Sequence, residues 1–189
     1  MILASASPRR KEMLQDLGLD FEVLPANVDE TVQPGESPQE FVQRAASEKA
    51  MDIAADHPDA WVLGADTIVV YEGDILGKPG DANDAIKVLK RLSGQMHRVF
   101  TGFCLQWKQD NFAVSHVIAT EVYFASFSEE TAHAYVYTGE PLDKAGAYGI
   151  QGRGGVLVEK INGSYSNVVG LPLAETIEEL LHYGVIVPF

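Results

Sequence analysis

The chain has one cysteine, Cys104, in 189 residues. An intramolecular disulfide is thereby excluded, and the usage fits a reducing compartment. Cys104 lies in the apolar run Phe103-Cys104-Leu105, where a core thiol is expected rather than a nucleophile. Basic residues are also scarce: 14 Lys+Arg stand against 27 Asp+Glu, a formal net charge of -13. Such a surface excludes a nucleic acid polymer as partner, although a local basic pocket would stand out against it. No stretch approaches the ~20 apolar residues that span a bilayer. The N-terminus, Met1-Ile2-Leu3-Ala4-Ser5, is too short in apolar residues, and too poor in basic ones, for a secretory signal. The expectation is a cytoplasmic protein with no membrane partner. Walker, HExxH and paired Cys/His metal motifs are absent. So are internal repeats, low-complexity tracts and long linkers.

What is present suits one domain, or two small lobes, with a real core: 46% of the residues are hydrophobic and 22% charged. The stretch from Trp61 to Tyr71 is rich in β-branched and aromatic residues and reads as a buried central strand. Asp66 interrupts it. A carboxylate there is costly unless paired, hydrogen-bonded or bound to a metal. It is either a turn aspartate beside Gly64 or an acid held rigidly at the floor of a cleft.

Taken from the start, Ile2-Leu3-Ala4 reads as a short strand. Ser7 is a good N-cap and Pro8 a good first residue for a helix with a Met13, Leu14, Leu17 stripe, ended by Gly18. Arg9 and Arg10 fall in its first turn, the wrong end for cations, because the helix dipole is already positive there. A bound phosphate would relieve that repulsion; a solvated pair is the alternative. Residues 21–24 form a second strand and 27–35 an acidic loop carrying Asp29 and Glu30. Ser37-Pro38-Gln39-Glu40 is a capping box opening a helix to about His57. Phe41, Ala45, Ala46, Ala50 and Ile53 form its apolar face. Lys49 falls on the same face, and either snorkels to the rim or turns into a pocket.

After the central strand, Glu72-Gly73-Asp74 makes a turn and Ile75-Leu76 returns as a hairpin. Pairing of 66–70 with 74–78 would carry Lys78 back towards Asp66. Asp81 caps a helix closed by Ser93-Gly94. Residues 98–107 and 112–124 read as an antiparallel strand pair, and Ser128 opens a helix to about Tyr137. The run Gly146 to Gly155 is dense in glycine, suiting either backbone close to a ligand or a flexible turn. Residues 156–161 form a strand, 162–165 a turn, and 172–183 the last helix. The scarce cations and special turns thus fall at Ser5–Arg10, Lys49, Asp66 with Lys78, and the glycine loop around Gln151. Cations, hydroxyls and a helix N-terminus suit a polyphosphate; one buried acid suits water activation or a divalent metal. The residues alone give a phosphate-ester hydrolase or a nucleotide binder.

The chain also resembles the Maf proteins, nucleoside triphosphate pyrophosphatases related in fold to the inosine-triphosphatase (HAM1-like) group. The marks are Leu3-Ala4-Ser5-Ala6-Ser7-Pro8-Arg9-Arg10, Glu48-Lys49-Ala50, Gly64-Ala65-Asp66-Thr67, Gly77-Lys78-Pro79, Asp143 to Gly152 and Val169-Gly170-Leu171-Pro172. Each is weak alone; in this order and spacing they are highly specific and cover essentially the whole chain. The resemblance implies a single α/β domain, residues 1–189, with a long mixed sheet flanked by helices and two lobes around a cleft. It implies hydrolysis of a nucleoside triphosphate to the monophosphate and pyrophosphate with Mg²⁺ or Mn²⁺. Asp66 would be the proton acceptor, and Ser5, Arg10, Lys49 and Lys78 would hold the triphosphate. An aspartate among lysines is a weak base, but a divalent metal acidifies water, so a weak base suffices. Asp66 then binds metal, orients water or does both, with Glu30 as a second metal ligand or a surface carboxylate.

Within the family, base choice tracks three positions, held here by Arg9, Thr67 and Gln151. This is similar to the branch that takes dTTP and UTP; the 7-methyl-GTP branch carries an aromatic, a glutamine and a glutamate. A glutamine amide both donates and accepts, matching the O4 and N3–H of uracil or thymine. The leading expectation is a housecleaning enzyme of the nucleotide pool. The alternatives are a 7-methyl-GTP pyrophosphatase or a nucleotide-binding regulator, since the family is also associated with septum formation. A pure sensor would need the phosphate cradle but not Asp66. A homodimer is compatible with the family, and no interface is legible in the residues.

Overall fold

The computed structural model describes residues 1–188. In chain order it contains β1 (Ile2–Ala4), α1 (Pro8–Asp16), β2 (Glu22–Val23), α2 (Pro38–Asp56), β3 (Trp61–Tyr71), β4 (Asp74–Leu76), α3 (Ala82–Leu92), β5 (Met96–Trp107), β6 (Phe112–Phe124), α4 (Glu129–Tyr137), β7 (Val158–Asn162), α5 (Tyr165–Val169) and α6 (Leu173–His182). Seven strands form one mixed sheet in the order β2-β1-β3-β5-β6-β7, with β4 paired to β3. β1 runs parallel to both β2 and β3, while β4 and β7 are antiparallel to their neighbours. The fold is α/β, as expected. The chain divides into two compact units: residues 1–67, 101–118 and the segment from Gly170 form the first, and Ile68–Phe100 with Ala119–Val169 the second.

In the first unit, β1, β3, β5 and α2 share a core of Ile2, Ala4, Ala46, Ala50, Ala54, Val62 and Cys104. Burial pushes the Cys104 thiol above its ordinary value, which fits an inert core cysteine. The small residues on α2 meet glycines on the sheet. A Cβ on Gly64 of β3 would stand 2.3 Å from the Ala46 carbonyl oxygen and 2.7 Å from the Ala50 nitrogen. One on Gly102 of β5 would stand 2.4 Å from the Val42 carbonyl oxygen. Val42, Ala46 and Ala50 succeed one another at intervals of four along α2, so one helix ridge lies directly on backbone. The helix itself starts as expected, with the reciprocal Ser37–Glu40 capping box and Pro38 in the first turn.

The second unit packs α3 and α4 over a core that includes Val69, Leu89, Leu92, Val122, Phe124, Val136 and Leu157. α3 is capped by Asp81, which accepts from the Asp84 N–H, and α4 by Ser128, which accepts from the Thr131 N–H. His97 of β5 is 1% exposed. Its Nε2 lies 2.9 Å from the Tyr148 hydroxyl, and the Phe124 and Tyr148 rings meet it edge-on. Its Nδ1 has no partner among the described residues.

Several local expectations are corrected. Ser7 begins α1, but its side chain makes no capping bond. β2 shortens to Glu22–Val23, and β5 begins earlier, at Met96. Residues 153–157 turn as a 3-10 helix, so the strand expected at 156–161 becomes Val158–Asn162. Part of the turn at 162–165 leads into the short α5. The β3–β4 ladder pairs Val69 with Leu76 and ends there, before Lys78.

Two outcomes follow from this packing. Gly64→Ala should lose about 1–3 kcal/mol of stability, the cost of overpacking a close backbone contact, read as a lower denaturant midpoint; an unchanged midpoint would contradict the packing. Burial also holds His97 down to about 4. The unfolded chain therefore binds more protons than the folded one between its ordinary value near 6.5 and that pH, and stability falls as pH drops through the window. The loss should reach about 2 kcal/mol by pH 5. Stability measured from pH 7 to 5 should flatten in His97→Gln; an equally steep slope in the variant would assign the loss to other groups.

Candidate active site

Asp66 sits in a stretch of β3, Val62 to Asp66, that is buried throughout, and is itself 8% exposed. A carboxylate in that position needs a partner, and α2 supplies it. Lys49 stands between Ala46 and Ala50 on the helix face that rests on Gly64, so the close approach of helix to strand carries the lysine inward. Its Nζ donates to Asp66 Oδ1 at 2.7 Å. Of the two expectations for Lys49, turning inward is the one observed.

The same ammonium lies 2.6 Å from Glu30 Oε1. Glu30 comes from the acidic loop, and α2 also holds that loop in place. Arg44 Nε and Nη2 grip the two oxygens of Glu36 at 2.7 and 2.9 Å, while Nη2 also donates to the Thr31 carbonyl at 2.9 Å. The Asn27 N–H donates to Asp52 Oδ2 at 3.0 Å. Lys49, Asp66 and Glu30 thus come together through one helix. Arg44 was not singled out in the sequence; its only local signal is the i,i+4 pairing with Glu48.

Arg10 is 7% exposed. Its Nε donates to the Gly170 carbonyl at 2.7 Å, Nη1 to Ser5 Oγ at 2.9 Å and Nη2 to Thr67 Oγ1 at 2.9 Å. Each of these partners is a neutral oxygen. Burial pulls the guanidinium below its ordinary value; the Asp66 charge opposes this, Arg9 adds to it, and Glu30 opposes it again. Ser5 Oγ also accepts the Ser7 N–H at 3.2 Å, which ties the β1–α1 turn to the same group. Thr67 Oγ1 pairs with Thr101 Oγ1 at 2.9 Å and lies 3.3 Å from the Gly170 carbonyl oxygen. Thr101 is fully buried. Gly170 was not foreseen as a partner of Arg10, nor Thr101 as a partner of Thr67; Gly170 is 160 residues from Arg10, and no spacing announces such a contact.

Ser5, Arg10, Lys49, Asp66, Thr67 and Glu30 all belong to the first unit, as does the half-buried Arg9. Lys78 and Gln151 belong to the second, and both are exposed. The glycine run around Gln151 packs against its own unit. A Cβ on Gly152 would meet both Glu140 carboxylate oxygens at 2.6 Å, and one on Gly154 would meet the Tyr135 hydroxyl at 2.4 Å. The loop is glycine-rich because it closes tightly on its own unit.

Two carboxylates, Asp66 and Glu30, converge on a single cationic nitrogen. No group of three or more His, Cys, Asp or Glu side chains suited to a metal ion occurs among the described residues. Mg²⁺ ordinarily takes one or two carboxylates and completes its shell with waters and substrate phosphates. The pair therefore fits a divalent cation that arrives with a polyphosphate. Among the described residues, no helix is long and apolar enough to cross a membrane.

Comparison with known proteins places this arrangement in a family. Residues 1–183 match the family described as Maf-like protein. The chain is 54% identical to the dTTP/UTP pyrophosphatase of Desulfotalea psychrophila, over 98% of this chain and 95% of the relative. It is 52% identical to that of Syntrophus aciditrophicus, over 97% of this chain and 90% of the relative, and 47% identical to that of Geobacter metallireducens, over 97% and 96%. Among solved structures, a HAM1 protein from Coxiella burnetii is 17% identical, covers 67% of this chain and 73% of its own, and superposes with a TM-score of 0.46. A match across nearly the whole length, joined to relatives about half identical to it, leaves one conclusion: the chain belongs to the Maf-like protein family.

Proposed function

We propose that the protein is a nucleoside triphosphate pyrophosphatase that hydrolyses dTTP and UTP to the monophosphate and pyrophosphate. The observation that supports this best is the buried Lys49–Asp66 pair beside a buried Arg10, in a chain about half identical to relatives named dTTP/UTP pyrophosphatase. Arg10 has charge but only neutral partners. Nη1 and Nη2 each carry a second N–H beyond the bonds described above, and a phosphoryl oxygen would meet the need of a desolvated cation.

In this reading water attacks the α-phosphorus, the bond to the bridging oxygen breaks, and pyrophosphate leaves. Asp66 accepts the proton of the attacking water. Arg10 and Lys49 stabilise charge on the phosphoryl oxygens, where fixed donors contribute most. Lys49 exchanges a carboxylate for phosphate oxygens as the triphosphate enters. Ser5 and Lys78 are assigned to the triphosphate by the same resemblance, and Arg9, Thr67 and Gln151 to the base. Asp66 and Glu30 would hold Mg²⁺ or Mn²⁺, which when bound polarises phosphoryl oxygens and acidifies water. A cytoplasmic location, expected from the residues, and a homodimer, which rests on the family alone, belong to the same proposal.

Pyrophosphate release from a panel of nucleotides, with metal, tests the reading. Asp66→Asn keeps the side-chain shape but cannot take a proton, so turnover of dTTP and UTP should fall at least about 100-fold while nucleotide binding survives. Near-parental turnover would remove Asp66 as the base, and a panel with no turnover in the parent protein would leave only a nucleotide binder. Gln151→Glu faces the O4 acceptor with a group that cannot donate, leaving an unpaired acceptor at a cost of about 1–3 kcal/mol. Its kcat/KM for UTP should fall roughly 10- to 100-fold, with 7-methyl-GTP less affected. If the UTP to 7-methyl-GTP ratio does not drop, Gln151 does not read the base.

A further inference from the structure

The loop that carries Gln151 is held by two side chains that the reaction itself does not use. Tyr135, 6% exposed on α4, accepts the Gly149 N–H at 3.0 Å through its hydroxyl. The same hydroxyl donates to Glu140 Oε1 at 2.8 Å. Glu140 then accepts the Arg153 N–H on Oε2 at 2.9 Å and the Gly154 N–H on Oε1 at 3.1 Å. The chain of bonds enters at Gly149 and leaves at Arg153 and Gly154, so it brackets Gln151. Gly152 and Gly154 leave room for it, since a Cβ on either would overlap the Glu140 carboxylate or the Tyr135 hydroxyl. Lys144 donates to the Glu140 carbonyl at 2.7 Å and fixes the segment from behind. Burial favours the neutral Glu140 acid, but the Arg153 and Gly154 N–H groups and the Tyr135 hydroxyl outweigh it and keep the group below its ordinary value.

We infer that Tyr135 and Glu140 are positioning residues for base selection: they close the Gly149–Gly154 loop into one shape and through it fix where Gln151 stands. The inference rests on the reading of Gln151 as the residue that meets the pyrimidine. An amide selects by orientation, because a half-turn exchanges its donor and acceptor. A glutamine on an open glycine loop would present both edges and discriminate poorly. Backbone anchored on both sides of it fixes the Cα from which the side chain reaches, so fewer poses of the amide are left to order when the substrate arrives.

The test compares UTP with 7-methyl-GTP in the full-length protein. Tyr135→Phe keeps the ring and removes both bonds of the hydroxyl. Glu140→Gln keeps the shape but turns an amide NH₂ towards a backbone N–H. Each should lower the UTP to 7-methyl-GTP ratio of kcat/KM about 10-fold, the order expected for losing one charge-assisted bond. The loss should fall mainly on KM for UTP, with thermal midpoints recorded alongside. In a Gln151→Ala background, where the reader is gone, the same two substitutions should move the ratio less than about 2-fold, because residues acting through one group are not additive. If Gln151→Ala collapses the ratio while Tyr135→Phe and Glu140→Gln leave it unchanged, the clamp serves only the fold and the inference fails alone. If Gln151→Ala itself leaves the ratio unchanged, the base-reading role fails and takes the inference with it.

Discussion

The contact on which the first unit depends is backbone against backbone, where α2 crosses Gly64 and Gly102. Nothing larger than glycine fits beneath Ala46 and Val42, so helix and strand stand at a distance set by main chain. Side-chain packing at ordinary separation would leave Lys49 short of Asp66, or bent outward along the helix surface. At this separation the ammonium meets the carboxylate at 2.7 Å while both remain almost fully buried. Two glycines that look like weak points in strands are what make an ion pair under the sheet surface geometrically available.

That pair and its neighbours form a site with charge in reserve. A buried ion pair contributes little net stability, because desolvation of both groups offsets their attraction. Arg10 is in a still less compensated state, with its bonds going to two hydroxyls and a carbonyl. Such groups persist where the surrounding structure holds them, and Arg10 is tied to the β1–α1 turn through Ser5, to β3 through Thr67 and to the C-terminal segment through Gly170. In the proposed function an anion brought here would meet buried donors already stripped of water, which is the condition under which electrostatic stabilisation is largest.

Much of this was legible in the residues. The 61–71 strand announced itself by β-branched density, and the α2 capping box by its four-residue spacing. Arg10 stood out because a cation in the first turn of a helix opposes the dipole. What the sequence does not carry is the choice among partners for a group once it is known to need one. Lys49 could snorkel or turn inward on the same periodicity, and only the glycine contact separates the two. Gly170 meets Arg10, and Thr101 meets its partner Thr67, from segments that share no local pattern with them. The strand starts at 96 and 158 fall elsewhere than hydrophobic alternation puts them, the second because residues 153–157 turn as a 3-10 helix first.

The glycine run from 146 to 155 shows why composition misleads at such places. Density of glycine predicts that backbone comes close to something, and it does. The neighbour is internal: Val69 for Gly146, Glu140 for Gly152, Tyr135 for Gly154. A carboxylate that accepts adjacent backbone N–H groups occupies the kind of nest that loops of this composition offer to phosphates. The Arg153 and Gly154 N–H groups are already taken by Glu140, and the Gly149 N–H by the Tyr135 hydroxyl. In the proposed function the loop therefore meets its ligand through the exposed side chain of Gln151 rather than through these N–H groups.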